Sequence, residues 1–285
     1  MLKNVPISFE FFPPNTVAGI KKLGEICESF NAFNPEYFSV TFGAGGVNRT
    51  KTFRTVRMLQ ANGWSVTPHL TCIGMPKEIL RHIIKNYQMS GITHLVALRG
   101  DLPKTMSDCQ SDFQYADELV AFIRQETGDH FYIHVAAYPE FHPESPNVFV
   151  GLENFKRKVA AGADSAITQY FFNCDAYVRF LESCVQYGIH IPIVPGIMPI
   201  SNFEKLWRFS QSCGAEIPSW LSKRLIALQH DPVSLQAYGI EVVTQLCEDL
   251  IAAGAPGLHF YTLNQLEPTQ AIINNLVHCN IHCCY

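Results

Sequence analysis

Ile7-Ser8-Phe9-Glu10-Phe11-Phe12-Pro13-Pro14 alternates apolar and polar side chains up to a pair of prolines. The alternation reads as a β-strand with Ile7, Phe9 and Phe11 on one face and Ser8 and Glu10 on the other. Pro13-Pro14 ends it, because proline cannot donate to a sheet ladder. A carboxylate flanked by aromatic residues at a strand's end is expected to be buried, with its pKa raised, and so to act as a proton donor at neutral pH. A solvated Glu on an edge strand is the alternative reading.

The same alternation recurs along the chain. Tyr37-Phe38-Ser39-Val40-Thr41-Phe42-Gly43 follows a helical stretch at 17–30, and Ser65-Val66-Thr67-Pro68-His69-Leu70-Thr71 follows one at 50–62. Further strands are expected at 94–101, 132–139, 165–171, 191–197 and 257–264. Helices are expected between them at 77–90, 113–127, 152–161 and 174–187, over a long region at 202–253, and finally at 267–277. Strand then helix, repeated about eight times, is the pattern of an α/β fold of the TIM type, a single (β/α)8 barrel. The 202–253 region is too long for one helix and predicts an extra helix before the last strand. An open doubly wound sheet is the runner-up, but no G-x-G-x-x-G or P-loop turn follows any strand. Gly43-Ala44-Gly45-Gly46 is only a glycine-rich loop. No linker or composition shift divides residues 1–285, so one catalytic domain is expected.

Composition narrows the function. Of 285 residues, 47% are hydrophobic and 16% charged, with net charge −4, so the chain can bury a large core and carries no basic stripe for nucleic acid or an acidic membrane. No run reads as a signal peptide or a bilayer span, which leads us to expect a soluble, cytoplasmic protein. The ten cysteines are then expected as thiols. The C-terminal His278-Cys279 and His282-Cys283-Cys284 lack a standard zinc spacing and predict no metal site.

A barrel gathers its strands' C-terminal ends at one mouth, where active sites sit. Those ends carry Glu10, Thr41, His69, Arg99, Asp101, Tyr138, Gln169 and Asn264, a polar cluster expected over an apolar core. There is no paired-histidine start of a metal hydrolase, no strand-end lysine for a Schiff base, and no serine or cysteine in a nucleophile motif. A proton donor, a second carboxylate and hydrogen-bonding groups at an aromatic mouth suit a bound cofactor that does redox work.

Ser8-Phe9-Glu10-Phe11-Phe12-Pro13-Pro14, Val40-Thr41-Phe42-Gly43-Ala44, Pro68-His69-Leu70-Thr71, Leu98-Arg99-Gly100-Asp101, Ala137-Tyr138-Pro139-Glu140 with His142-Pro143-Glu144, Thr168-Gln169-Tyr170-Phe171, Pro195-Gly196-Ile197-Met198-Pro199 and His259-Phe260-Tyr261-Thr262-Leu263-Asn264 together resemble the bacterial type of methylenetetrahydrofolate reductase. The resemblance runs from Ser8 to about residue 277. It implies a barrel holding FAD at its mouth. NADH or NADPH reduces the flavin and leaves. Methylenetetrahydrofolate then enters and is reduced to methyltetrahydrofolate for methionine synthesis. By motif, the resemblance makes Glu10 the general acid, places Asp101 beside flavin and pterin, and gives Gln169 to the substrate. FAD contacts would come from Thr41, His69, Arg99, Gly100, Asp101, Tyr115, Ala116, Tyr138, His142, Arg157 and Lys158, with Arg99 and Lys158 neutralising the pyrophosphate. Phe209 would pack on nicotinamide or folate. Gln265 stands where the family usually has Arg, and Gly151 where it often has Asp. A homo-oligomer without a regulatory domain is implied. A flavin barrel acting on a small imino acid, of the proline-dehydrogenase kind, and a degenerate barrel serving only to bind remain as alternatives.

Overall fold

A computed structural model describes residues 5–43, 49–101, 111–140 and 142–278. The glycines at 45 and 46 and the cysteines at 279, 283 and 284 lie outside that range. The elements run β1 (Ile7–Phe11), α1 (Val17–Asn31), β2 (Tyr37–Val40), α2 (Arg49–Ala61), β3 (Val66–Thr71), α3 (Lys77–Met89), β4 (His94–Leu98), α4 (Ala116–Thr127), β5 (Tyr132–Ala137), α5 (Val148–Ala160), β6 (Ser165–Thr168), α6 (Cys174–Gln186), β7 (Ile193–Val194) and β8 (Gly196–Ile197). Then come α7 (Phe203–Cys213), α8 (Ser219–Leu228), α9 (Pro232–Ala252), β9 (Leu258–Tyr261) and α10 (Thr269–His278). All strand pairs are parallel, in the order β7-β6-β5-β4-β3-β2-β1-β9-β8. The two ends of that series are separated in the chain by Pro195 alone. The expected (β/α)8 barrel therefore forms with its seventh strand cut in two. One half pairs with β6 and the other with β9.

Proline explains the cut, since it has no N–H to give the ladder. Its carbonyl still accepts from the His259 N–H at 3.0 Å. The next N–H, of Gly196, turns to the Thr168 hydroxyl at 2.9 Å. The Tyr261 hydroxyl reaches the Thr168 carbonyl at 2.7 Å and so bridges β9 to β6 across the gap.

Two helices begin elsewhere than the periodicity suggests. α5 starts at Val148 because the Asn147 side chain accepts from the Val150 N–H at 3.0 Å, an N-cap one turn ahead of the expected start. α4 starts at Ala116, where the Glu118 carboxylate accepts from the Gln114 and Tyr115 N–H groups at 2.6 and 2.9 Å. The 202–253 region folds as three helices, α7 to α9.

The apolar core lies outside the barrel, between strands and helices. Phe9 stacks on Phe30 of α1 at 4.2 Å, and Phe9, Phe11, Phe30 and Phe38 are all fully buried. Each such side chain contributes roughly 1.5–3 kcal/mol of transfer free energy. The barrel's interior is different. Ser8 and Glu10 face inward, opposite the Phe9 and Phe11 face. Register carries that inward set to Tyr37 and Ser39 on β2, to Thr67 and His69 on β3, to His134 and Ser165 on β5 and β6, and to His259 and Tyr261 on β9. Barrels of this kind usually fill the interior with branched apolar residues. The apolar core expected beneath the mouth is thus corrected. The space under the mouth is lined mostly by hydroxyls, phenols and imidazoles, with Val96 of β4 and Ile167 of β6 among them.

Candidate active site

Glu10 ends β1 on the inward face, with its side chain 15% exposed. Two imidazoles flank its carboxylate, with His69 Nε2 at 3.4 Å and His259 Nε2 at 3.6 Å from Oε2. Burial pushes the Glu10 carboxyl up. The charge on His69, then the hydrogen bond and charge of His259, outweigh that, so the carboxyl sits below its ordinary value. Burial pulls His69 down, against the opposite pull of Glu10. Both groups therefore lie below their ordinary values, which leaves the carboxylate charged and the imidazole neutral at neutral pH. The expected aromatic surroundings and raised pKa of Glu10 are therefore corrected. Phe9 and Phe11 lie on the other face of the strand, and imidazole meets the carboxylate.

A cavity of about 640 Å³ opens between the C-terminal ends of β4 and β5 and the first turns of α4 and α5. Of the proposed cofactor contacts, Arg99, Gly100, Asp101, Tyr115, Ala116, Tyr138, His142, Arg157 and Lys158 line it; Thr41 and His69 do not. The departure residue Gly151 is also in its wall. Gly100 has φ +85°, and a Cβ there would stand 3.0 Å from Thr71, so the wall is bare backbone at that point. Tyr138 packs edge-on against His142 at 4.5 Å. Burial pushes its phenol up to about 12, against the pull of Arg99.

The two cations meant for a pyrophosphate differ. Arg99 makes a two-pronged pair with Glu144, at 2.5 and 2.8 Å, so its charge is already answered. Lys158 donates from Nζ to the neutral carbonyl of Ala136. Burial pulls its pKa down to about 8, and Asp117 only partly restores it. A buried ammonium on an uncharged partner is a site for an anion.

The other candidates lie apart. Gln169 borders a small cleft with Tyr138, Glu140 and Tyr170, and its Oε1 accepts from the Tyr170 N–H at 3.0 Å. Thr41 follows β2 with its N–H on the Phe11 carbonyl at 3.0 Å. Phe209 is 40% exposed on α7, and Gln265 is exposed after β9. Asn264 is structural, since its side chain clamps the Phe12 N–H and carbonyl at 2.8 Å each. Tyr37, His134, His259 and Tyr261 were not among the sequence candidates. Counting back by twos from Thr41 and Tyr138 reaches Tyr37 and His134 on the same face.

A family model described as "Methylenetetrahydrofolate reductase" matches residues 2–277. The chain belongs to the methylenetetrahydrofolate reductase family. The 5,10-methylenetetrahydrofolate reductase of Pectobacterium carotovorum subsp. carotovorum is 40% identical over 273 residues, 95% of this chain and 90% of its own. That of Escherichia coli K12 is 38% identical over the same shares. The methylenetetrahydrofolate reductase (NADH) 1 of Arabidopsis thaliana is 37% identical over 94% of this chain and 48% of its own length. A Clostridium thermocellum protein described as binding two copies of 5-methyl-5,6,7,8-tetrahydrofolic acid superposes with a TM-score of 0.67 at 16% identity, over 97% and 96% of the two chains, and shares the fold. As a member of that family the chain is an oxidoreductase of folate one-carbon metabolism. Among the described residues no helix is long and apolar enough to cross a membrane, and no cluster of His, Cys, Asp and Glu could hold a metal.

Proposed function

We propose that the reductase works through FAD held at the C-terminal mouth, reduced by NADH or NADPH, which leaves before methylenetetrahydrofolate enters. The observation that carries this reading is the large cavity with a half-buried lysine hydrogen-bonded to a neutral carbonyl, in the same barrel mouth as a carboxylate flanked by two imidazoles. The donor set fits a dinucleotide. Lys158 would meet the pyrophosphate, Gly100 lets it approach the backbone, and Tyr115, Tyr138 and His142 offer flat faces for its rings. When bound, the flavin carries an electron pair from nicotinamide nucleotide to folate as hydride.

The chain's own residues do the rest. Opening the methylene bridge needs a proton on the departing folate nitrogen, and Glu10 is the group placed to relay one, its carboxyl pushed back up as bound folate buries it further. The folate iminium that results is cationic, and the Asp101 carboxylate in the cavity wall stabilises it electrostatically. Gln169 supplies hydrogen bonds to the folate, with Phe209 and Gln265 further out for packing and polar contact. The product, methyltetrahydrofolate, serves methionine synthesis. Cys27, Cys72, Cys174, Cys184, Cys213 and Cys247 are free thiols, which supports a reducing cytoplasm.

Purified protein should be yellow and should oxidise methyltetrahydrofolate with an artificial electron acceptor. Turnover of proline instead, or no flavin at all, would overturn the reading. Lys158 gives a second test. A lysine with its pKa pulled down to about 8 is charged below that pH and neutral above it. FAD affinity should therefore fall as pH rises through about 8, and Lys158→Met should bind FAD weakly at every pH. Titration of apoprotein with FAD, followed by flavin fluorescence, checks this.

A further inference from the structure

We propose that the polar column inside the barrel is a proton path that refills Glu10 from the opposite, N-terminal end. The proposal rests on the reading of Glu10 as the acid. Each turnover removes one proton from Glu10, whose side chain is only 15% exposed before any ligand covers the mouth. While folate lies over the mouth, an inner route would replace that proton without waiting for the product to leave.

The other end carries partly exposed proton-bearing groups. Tyr132 and His94 begin β5 and β4 at the N-terminal rim, Tyr132 being 37% exposed and His94 half-buried. From there aromatic rings rise through the barrel. His134 lies 5.1 Å from Tyr132 and 5.9 Å from His94, and Tyr37 lies 5.2 Å from His134 and 6.1 Å from His259. The Ser8 hydroxyl joins the last two, hydrogen-bonding the Tyr37 phenol and standing 2.7 Å from His259 Nδ1. The other nitrogen of His259 is 3.6 Å from Glu10.

The same interior holds Ser39 Oγ, Thr67 Oγ1 and His134 Nε2 without a hydrogen-bond partner, while the Nε2 atoms of His69 and His259 have only their 3.4 and 3.6 Å contacts with Glu10. A buried polar atom left unpaired costs about 1–3 kcal/mol, and ordered water is its usual partner. Water held there spans the gaps between rings that exceed hydrogen-bond length. Burial, with the charges of His94, His259 and His69 in support, pushes His134 down to about 3. It can hold a water without trapping its proton. Burial holds His94 below its ordinary value at the entry, against the opposing pull of Glu36 and Asp164, which face it. Glu36, Glu10 and Tyr132 face Tyr37, and His69, His259 and Tyr261 face Glu10.

The transfer balances. Glu10 gives its proton to folate. The carboxylate takes one from His259 Nε2, and His259 Nδ1 takes one from Ser8. Ser8 takes one from Tyr37, and Tyr37 takes one from water beside His134 that refills from the rim. Every group gains one proton as it loses one, and nothing is oxidised.

Tyr37→Phe keeps the ring and removes the link. In stopped-flow mixtures of H2O and D2O, the folate half-reaction of the unaltered enzyme should show a curved proton inventory. In Tyr37→Phe the curve should become linear, and the ratio of folate to nicotinamide half-reaction rates should fall by about tenfold, less than for loss of the acid itself. An atomic-resolution structure of the apoprotein should show water at His134 Nε2, Ser39 and Thr67. A dry interior, or an inventory unmoved by Tyr37→Phe while Glu10→Gln still slows folate reduction, overturns the path and leaves the acid standing. If Glu10→Gln has no effect, both fall.

Discussion

Glu10→Gln should fold, hold FAD and accept hydride from nicotinamide nucleotide at nearly the normal rate, yet reduce methylenetetrahydrofolate at least ~10²-fold more slowly, the lower end for loss of a general acid. The amide matches the carboxylate in size, and it can still meet His69 and His259, which approach to 3.4 and 3.6 Å. It has no proton to give at neutral pH. Only the half-reaction that breaks the folate ring needs one. In the variant His69 faces no carboxylate, and burial leaves it neutral. Measuring the two half-reactions separately decides the matter. Equal slowing of both would mean that Glu10 holds the site together. No slowing of either would place the acid elsewhere.

Gly196→Ala should be among the most destabilising single methyl additions in the chain. A Cβ at 196 would stand 2.2 Å from the Thr168 carbonyl oxygen and 2.6 Å from the Tyr261 ring. The carbonyl belongs to the backbone of β6 and cannot swing away. The Tyr261 hydroxyl is tied to that same oxygen at 2.7 Å, and the Gly196 N–H to the Thr168 hydroxyl at 2.9 Å. Relieving the clash breaks both bonds where the barrel closes. Overpacking together with two buried hydrogen bonds amounts to about 3 kcal/mol or more. Gly24→Ala is the control: Gly24 is in α1 with nothing within 4 Å of a new Cβ. It should be neutral or gain up to about 1 kcal/mol. Urea midpoints compare the two. A Gly196→Ala midpoint equal to that of the unaltered protein would show that the junction carries no stability.

Much of this was legible in the alternation. Ile7 to Phe11 read as a strand, and the strand ends brought Arg99, Tyr138 and their neighbours to one cavity because parallel barrels place those ends together. What faced Glu10 was not legible. Alternation separates two faces but does not say that the polar face looks into a closed barrel, where residues from β3 and β9 become neighbours of β1. Nothing local announces that Glu144 reaches Arg99 from the loop beyond β5. The break at Pro195 was visible as a residue. Its effect depends on where β6 and β9 lie, and that follows only from closure.

A fold whose cohesion resides between strands and helices has an evolutionary consequence. Outer positions such as Phe9, Leu23 and Phe30 ask only for apolar bulk of about the right volume, a demand that many sequences meet. Apart from Tyr261, whose hydroxyl bridges the closure, the inner set is largely released from holding the molecule together and can drift toward new chemistry without loss of the scaffold. That two chains can share this barrel over nearly their whole lengths at 16% identity is what such a separation allows. Selection on the lumen and selection on the shell act on different residues of the same strand, alternating one by one.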